Sequence, residues 1–171
     1  FFMGENKKIF KAKRLPVTVI PLLICLLSSL QLFSQNSNEE IKQGNELYKE
    51  RKYGEAASHY QKAINKKTGD AAAHYNLGNA LYKNNDTDSA LKAYDKAIAF
   101  SKTNQDKAAA WYNKGVLLQN DKKLRECIDA YKQALKLDPA DEDARLNLQK
   151  ALQQQQQEQK PTKNKQTQHT Q

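Results

Sequence analysis

The sequence predicts an all-α fold, in which three helix-hairpin repeats stack into a solenoid and a last helix closes the C-terminal end. The first observation is a period, since Gly44, Gly78 and Gly115 recur 34 and then 37 residues apart. The second is that a small residue, a tyrosine and an alanine follow each glycine at 12, 16 and 19 residues. These positions are Ala56, Ala90 and Cys127, then Tyr60, Tyr94 and Tyr131, then Ala63, Ala97 and Ala134. Self-similarity at such a period is typical of stacked helical units, which offer a concave surface to another polypeptide.

Each repeat contains two apolar patterns with helical spacing. In the second repeat, residues 75–82 and 90–98 carry apolar or aromatic side chains three and four positions apart, which indicates two amphipathic helices, A and B. A glycine inside a helix costs about 1 kcal/mol relative to alanine, so its recurrence indicates that another helix approaches closely. We expect helix B of the same hairpin to cross at the glycine, and the three tyrosines to fill the space between neighbouring hairpins.

Breaks in the helical pattern divide the array into units at about 37–70, 71–104 and 108–141. Ser37 and Glu40 have the spacing of a capping box at the start of the first helix. Residues 68–70, Thr-Gly-Asp, interrupt the helical pattern after the first unit, and Asp138-Pro139 closes the third. Three extra residues between 101 and 107 are expected to lengthen the second inter-repeat loop.

The C-terminal region divides into a capping helix at 141–152 and a tail at 153–171. Ala144, Leu148, Ala151 and Leu152 form one apolar stripe among charged and amide side chains, as the last helix of a repeat array requires. Five consecutive glutamines begin the tail, and a mixture of lysine, threonine, asparagine and glutamine ends it. We expect a disordered Gln/Lys-rich tail, because this composition builds no core. Extension of the capping helix into the glutamines, as far as Pro161, is the alternative.

Residues 1–34 have the pattern of an export signal. Five basic residues between positions 7 and 14 precede an almost uncharged run from Leu15 to Phe33, after which the chain becomes polar. Met3 is the expected start, and cleavage is expected after Ser34. We therefore predict export to the periplasm or envelope of a bacterium.

An uncleaved N-terminal anchor is the alternative, because the apolar run reaches the lower length limit of a membrane-spanning helix. Pro16 and Pro21 disfavour a long regular anchor. Lipidation at Cys25 is rejected because bulky Ile24 precedes it. A membrane contact is predicted only if this segment is retained.

The charge balance disfavours a nucleic-acid partner. The whole chain has a formal net charge of +9, but beyond residue 34 it carries 23 basic and 18 acidic side chains, or +5. The two signs alternate along the repeats, which is typical of a solvated helical surface rather than a basic stripe.

No arrangement of catalytic or metal-ligating residues is evident, so we predict no enzyme activity, metal or cofactor. His74 occupies the packing position that Trp111 fills in the third repeat. Cys127 is the only cysteine beyond residue 34 and occupies a small-residue position, so we expect a buried structural thiol rather than a redox sensor.

The repeats resemble the tetratricopeptide repeat (TPR) over about residues 37–152. The third unit carries Trp111-Tyr112-Asn113-Lys114-Gly115, Leu118, Cys127, Tyr131, Ala134 and Asp138-Pro139. The second carries His74-Tyr75-Asn76-Leu77-Gly78-Asn79-Ala80-Leu81-Tyr82-Lys83, then Ala90, Tyr94 and Ala97; the first carries Gly44-Asn45, Leu47-Tyr48-Lys49, Tyr53, Ala56, Tyr60 and Ala63. The first unit departs from the pattern at Glu40, where an aromatic residue is usual, and at Gln43, where leucine is usual. The resemblance implies a right-handed TPR solenoid that binds proteins.

In the TPR family, ligands usually lie along the inner face formed by the A helices, close to the glycine. The resemblance assigns these positions to Lys42, Asn45 and Lys49 in unit one, Tyr75, Asn76, Asn79 and Lys83 in unit two, and Tyr112, Asn113, Val116 and Asn120 in unit three. The surface is rich in amides and mildly basic at one end. Amide side chains suit an extended peptide backbone, and lysines favour an acidic ligand group.

Some family members grip a C-terminal carboxylate with a clamp of asparagines and basic residues. Asn45 and Asn76 match the asparagine positions. Ile41, Ala109 and Asn113 stand where the basic residues would be, so the charge that holds the carboxylate is absent. Chaperone-tail binding of that type is therefore not expected.

The leading hypothesis is an exported, non-enzymatic scaffold for protein–protein interaction. The order of signal, short array, acidic capping segment at 141–148 and Gln-rich tail is similar to small exported TPR proteins of bacterial aerotolerance (Bat) loci. That similarity implies envelope stress tolerance and partners among von Willebrand A-type membrane proteins. A membrane-anchored envelope spacer and a surface polyanion binder are the alternatives.

Overall fold

A computed structural model describes residues 37–159. The predicted export signal at 1–34 and the tail beyond Gln159 lie outside the described residues. Seven helices and no strand occur in the described range. These are α1 (37–49), α2 (Tyr53–Lys66), α3 (Ala71–Lys83), α4 (Thr87–Phe100), α5 (Asn104–Asn120), α6 (Leu124–Leu137) and α7 (Glu142–Gln159). The predicted all-α solenoid of three hairpins and a capping helix is confirmed, with α1, α3 and α5 as the A helices.

The three hairpins turn in the same way. Arg51, Asn85 and Lys122, each seven residues after the repeat glycine, have φ values of 61°, 62° and 58°. Such left-handed residues are uncommon outside glycine and asparagine. At each turn the residue after the left-handed one donates its backbone N–H to the carbonyl five residues earlier: Lys52 N to Leu47 O, Asp86 N to Leu81 O and Lys123 N to Leu118 O, each at 2.9 Å. Every A helix therefore ends in the same backbone capping motif.

The repeat glycines make room for tyrosine rings of their own hairpin. A Cβ atom on Gly44 would lie 2.7 Å from Tyr60 Cε1, and the corresponding distances are 2.7 Å for Gly78 with Tyr94 and 2.6 Å for Gly115 with Tyr131. The expectation that the tyrosines fill the space between hairpins is wrong, because each ring lies directly on the glycine sixteen residues before it. Helix B does approach the glycine closely, through this ring.

The connection between the second and third units is short. The three extra residues lengthen helix α5 rather than the loop, so the expected longer loop at 101–107 is wrong. Helix α5 begins at Asn104, where Thr103 Oγ1 accepts a hydrogen bond from Asp106 N at 3.0 Å. An effective N-cap followed by helix-forming residues extends a helix at little cost.

The first helix has no capping box. Ser37 is buried and its hydroxyl donates to Ala63 O at 3.2 Å. Glu40 contacts α2 instead, at 2.6 Å from Lys66 Nζ and 2.8 Å from His59 Nδ1. The hydrogen bond from Lys66 is the main cause that lowers the pKa of Glu40. An ionic contact thus replaces the aromatic packing that is usual at position 40.

The capping helix is longer than expected. Ala144 and Ala151 are fully buried, and Leu148 and Leu152 pack against the same core, as the apolar stripe predicts. The helix then continues through the glutamines to Gln159 instead of ending at 152. Glutamine is a good helix former, and Gln154 Nε2 donates to Glu158 Oε1 at 3.2 Å.

The histidine and cysteine considered for chemistry are packing residues. The His74 ring stacks on Phe100 at a centroid distance of 5.4 Å and is 8% exposed. Cys127 is fully buried, its thiol donates to Leu124 O, and burial raises its pKa, so the prediction of a buried structural thiol is confirmed. Within residues 37–159, no three His, Cys, Asp or Glu side chains are grouped as metal ligands require. No helix in that range combines the length and apolar character needed to cross a membrane.

Candidate functional site

The A helices share one polar surface, which we call the A-helix face. Side-chain hydrogen bonds connect α1 to α3, α3 to α5 and α5 to α7 across it. The structure brings together most of the binding residues predicted from the sequence: Asn45, Tyr75, Asn76, Asn79, Tyr112, Asn113 and Asn120 all take part in these contacts or lie beside them.

The first cluster on this face joins α1 and α3 through Asn45. The Tyr60 hydroxyl donates to Asn45 Oδ1 at 2.7 Å, and Asn76 Nδ2 donates to the same oxygen at 3.4 Å. Burial raises the pKa of Tyr60 to about 12, so the hydroxyl keeps the proton that it donates. Asn45 is therefore oriented with its oxygen towards the protein.

The second cluster repeats this arrangement between α3 and α5. The Tyr94 hydroxyl donates to Asn79 Oδ1 at 2.8 Å. Asn113 Nδ2 donates to Asn79 Oδ1 at 2.9 Å and to the Tyr75 hydroxyl at 2.8 Å. Both asparagines are half-buried. The contact between Asn79 and Asn113 is shorter than that between Asn45 and Asn76, so this cluster is the more firmly held.

These contacts decide which amide atoms remain for a ligand. The Nδ2 donors of Asn45 and Asn79, and the Oδ1 acceptors of Asn76 and Asn113, have no hydrogen-bond partner among the described residues. Each cluster thus leaves one donor on the first asparagine and one acceptor on the second. A peptide unit carries one C=O and one N–H, which is the complementary set. We call Asn45 with Asn76, and Asn79 with Asn113, the two amide pairs.

The third unit does not continue the series. Val116 occupies the position of Asn45 and Asn79, and the Tyr131 hydroxyl donates to Gln119 Oε1 at 2.7 Å. Tyr112 instead receives a hydrogen bond from Asn147 Nδ2 of α7 at 3.2 Å. Burial, with a smaller contribution from Asp143, raises the pKa of Tyr112. At this end of the face, valine therefore replaces the asparagine, and α7 borders the third unit through the contact between Asn147 and Tyr112.

The lysines give the α1 end a basic character. An open pocket of about 520 Å³ surrounds the first amide pair, and Ile41, Lys42 and Lys49 contribute to its wall. Lys42 is exposed and forms no ion pair with the described residues, whereas Lys49 Nζ lies 3.0 Å from Glu46 Oε1. Further along, the Lys83 ammonium lies 5.8 Å from the centre of the Tyr82 ring.

Sequence reasoning missed the part that Tyr60 and Tyr94 play in orienting the amides. Their hydroxyls reach the face although their rings are buried in the core. One sequence pattern does point to this role. Asparagine directly follows the glycine in the two units where the tyrosine hydroxyl donates to it, and valine follows the glycine in the third.

The positions that carry basic residues in a carboxylate clamp are filled differently here. Ile41 lines the pocket at the α1 end, and Ala109 lines a smaller cavity beside Tyr75. Asn113 uses its amide nitrogen within the second cluster. These three positions therefore supply no cation to the face.

Comparison with known proteins agrees with this architecture. Two models of the tetratricopeptide repeat match residues 41–106 and 108–141. The Hsp70-Hsp90 organizing protein of Triticum aestivum is 30% identical over 103 residues, which are 60% of this chain and 17% of that protein. Its counterpart from Glycine max is also 30% identical over 103 residues and is covered over 18% of its length. The chain thus spans less than a fifth of these curated relatives.

Solved structures show the same fold. The first TPR of Spaghetti (RPAP3), bound to the HSP90 peptide SRMEEVD, superposes with a TM-score of 0.66 at 24% identity, over 72% of this chain and 95% of that one. The N-terminal domain of stress-induced protein-1 from C. elegans gives a TM-score of 0.65 at 17% identity, over 70% and 97% of the two chains.

Proposed function

The chain belongs to the tetratricopeptide repeat family, and we propose that it is a non-enzymatic scaffold that holds an extended segment of a partner protein on its A-helix face. The two amide pairs are the observation that carries this proposal. Each pair offers one donor and one acceptor, and the buried tyrosine hydroxyls fix their orientation. Preorganised groups of this kind lower the entropic cost of binding a flexible peptide.

The charge distribution favours an internal segment with an acidic group near α1. The RPAP3 domain similar to this chain was solved with the HSP90 peptide SRMEEVD. Here Ile41, Ala109 and Asn113 stand at the basic clamp positions, so a terminal carboxylate gains little at that site. Lys42, which forms no ion pair with the described residues, offers a cation to an acidic side chain instead, whereas Lys49 already pairs with Glu46. The partner segment is thus recognised by its backbone, with one acidic side chain towards α1.

Photo-crosslinking on the full chain tests this function. A photoreactive amino acid at position 116 of the A-helix face is expected to capture a partner segment, whereas the same residue at Lys62 or Lys92, on the outer face of α2 or α4, is not. Mass spectrometry of the crosslinked peptides identifies the segment. The double substitution Asn76→Ala/Asn79→Ala is expected to abolish capture, because it removes one of the two asparagine side chains from each amide pair.

The matched control is Asn65→Ala/Asn104→Ala, which removes two exposed asparagines that are not on the A-helix face. Circular dichroism checks that all variants remain helical. Undiminished capture by the folded Asn76→Ala/Asn79→Ala variant would exclude the A-helix face as the binding surface.

We further propose that the scaffold acts outside the bacterial cytoplasm, in an envelope stress or aerotolerance complex with von Willebrand A-type membrane proteins. The support is the signal-like pattern of residues 1–34 and the similarity in segment order to exported TPR proteins. Mass spectrometry of the protein from cells is expected to find a mature N-terminus near Gln35. A retained N-terminus would favour the anchored spacer instead.

A further inference from the structure

A small cavity opens at the edge of the A-helix face, between the first turns of α3 and α5. Its volume is about 210 Å³. The lining consists of Ala71, Ala72, Tyr75, Ser101, Asp106 and Ala109. Three alanine methyl groups and a tyrosine ring make most of this wall apolar, and Asp106 is its one charged residue. The space suits the hydrocarbon part of a single side chain.

Asp106 brings an unused carboxylate oxygen to this cavity. Thr103 Oγ1 donates to Asp106 Oδ2 at 2.7 Å, while Oδ1 has no hydrogen-bond partner among residues 37–159. Asp106 also forms no ion pair within that range. The residue belongs to the additional first turn of α5, so the lengthening of this helix is what places a carboxylate here.

The helix N-termini beside the cavity are already capped. Asp70 accepts from Ala73 N at 3.2 Å at the start of α3, and Thr103 accepts from Asp106 N at the start of α5. Asp70 also pairs with Lys67 Nζ at 2.9 Å. These groups satisfy one another, and Asp106 is the one charged residue among those that line the cavity.

Tyr75 joins the cavity to the second amide pair. Its ring lines the cavity, and its hydroxyl accepts a hydrogen bond from Asn113 Nδ2 at 2.8 Å. A peptide unit held by Asn79 and Asn113 therefore lies next to the opening. A side chain that leaves this stretch of backbone can enter it.

We propose that this cavity, the Asp106 pocket, is a specificity pocket for a lysine or arginine side chain of the bound partner segment. The inference rests on the proposed function. The methylene groups pack on Ala71, Ala109 and the Tyr75 ring, and the cationic end reaches the Asp106 carboxylate. The ligand then carries an acidic group towards α1 and a basic group towards α5.

Binding of a peptide library to the full chain tests the pocket. The probes are acetylated, amidated peptides of about ten residues, long enough to cross the face, with lysine, norleucine or glutamate fixed at one position in turn. At one of these positions, the peptides with lysine are expected to bind about three- to five-fold more tightly than those with norleucine, which is the gain that an exposed ion pair allows. Glutamate at that position is expected to bind more weakly than both.

Three variants separate the pocket from general charge effects. Asp106→Asn keeps an acceptor for the Thr103 hydroxyl. It is expected to make the affinities of the lysine and norleucine peptides about equal. Ala109→Leu fills the cavity and is expected to weaken lysine and norleucine peptides alike. Asp88→Asn is the matched control, because it removes an exposed first-turn carboxylate from α4 and should leave the preference unchanged.

The outcomes distinguish this inference from the proposed function. Equal binding of lysine and norleucine at every position, or a lysine preference that survives Asp106→Asn, overturns the pocket while the peptide-binding face stands. If no library peptide binds, or if binding survives Asn76→Ala/Asn79→Ala, the proposed function fails and the pocket fails with it.

Discussion

The first two repeats and the third share the same core contact but differ at the surface that this contact supports. In every unit a buried tyrosine ring lies on the repeat glycine. Tyr60 and Tyr94 then donate to an asparagine that directly follows the glycine, whereas Tyr131 donates to Gln119 because Val116 stands at that position. One packing solution thus supports two surface chemistries. The core contact defines the repeat, and the residue after the glycine defines what the repeat offers to a ligand.

The largest effect is expected from breaking the shared core contact with Gly78→Ala. The new Cβ would lie 2.7 Å from Tyr94 Cε1, and the ring is buried, with 1% of its surface exposed. Alanine gains about 1 kcal/mol in helix propensity, but overpacking a core costs typically 1–3 kcal/mol or more. We expect a net loss of up to about 2 kcal/mol in the free energy of unfolding, measured by urea denaturation.

Gly54→Ala is the matched control for this substitution. Gly54 also lies in a helix, but a Cβ atom there would meet nothing closer than 3.7 Å. We expect this variant to be as stable as the wild type or up to about 1 kcal/mol more stable. Equal effects of the two substitutions would show that the glycines are not required by the tyrosine rings.

A smaller effect is expected from removing the hydroxyls with Tyr94→Phe and Tyr131→Phe. Each variant loses one hydrogen bond and should lose about 1 kcal/mol of stability. Only Tyr94→Phe should also weaken peptide binding, because Asn79 then loses the contact that helps to fix its orientation. Urea denaturation and calorimetric titration with a library peptide separate the two effects. Equal affinities of the two variants would contradict the role given to the tyrosine hydroxyl.

The sequence predicts the repeated part of this molecule well and the local exceptions poorly. The columns of glycine, alanine and tyrosine give the helices, their order and the face that carries the asparagines. They do not reveal that the ring of Tyr94 lies on Gly78, because a helical pattern states which residues are buried but not which of them touch. The sequence predicts a longer loop where α5 has an extra turn, because an insertion between repeats is compatible with either, and only the contact between Thr103 and Asp106 N shows where the helix begins. The contact between Glu40 and Lys66 is not predictable from the helical pattern either, because it joins residues 26 positions apart in sequence.

Val116→Asn gives the third unit the residue that the other two units carry directly after the glycine. Val116 is half-buried on the A-helix face and packs against the core of the third unit. Asparagine and valine have similar helix propensities, so the expected cost is that of the lost partial apolar burial, about 1 kcal/mol of stability. If the residue after the glycine sets the surface chemistry, the new amide should compete with Gln119 for the Tyr131 hydroxyl and leave a further Nδ2 donor on the face. Peptide affinity should then rise by about two- to five-fold, which is what one additional hydrogen bond supplies. Val116→Thr, which keeps the β-branched shape without an amide, should bind like the wild type in the same titration. A similar gain with threonine, or no gain with asparagine, would show that α7 and Asn147 close the third unit to peptides whatever residue follows Gly115.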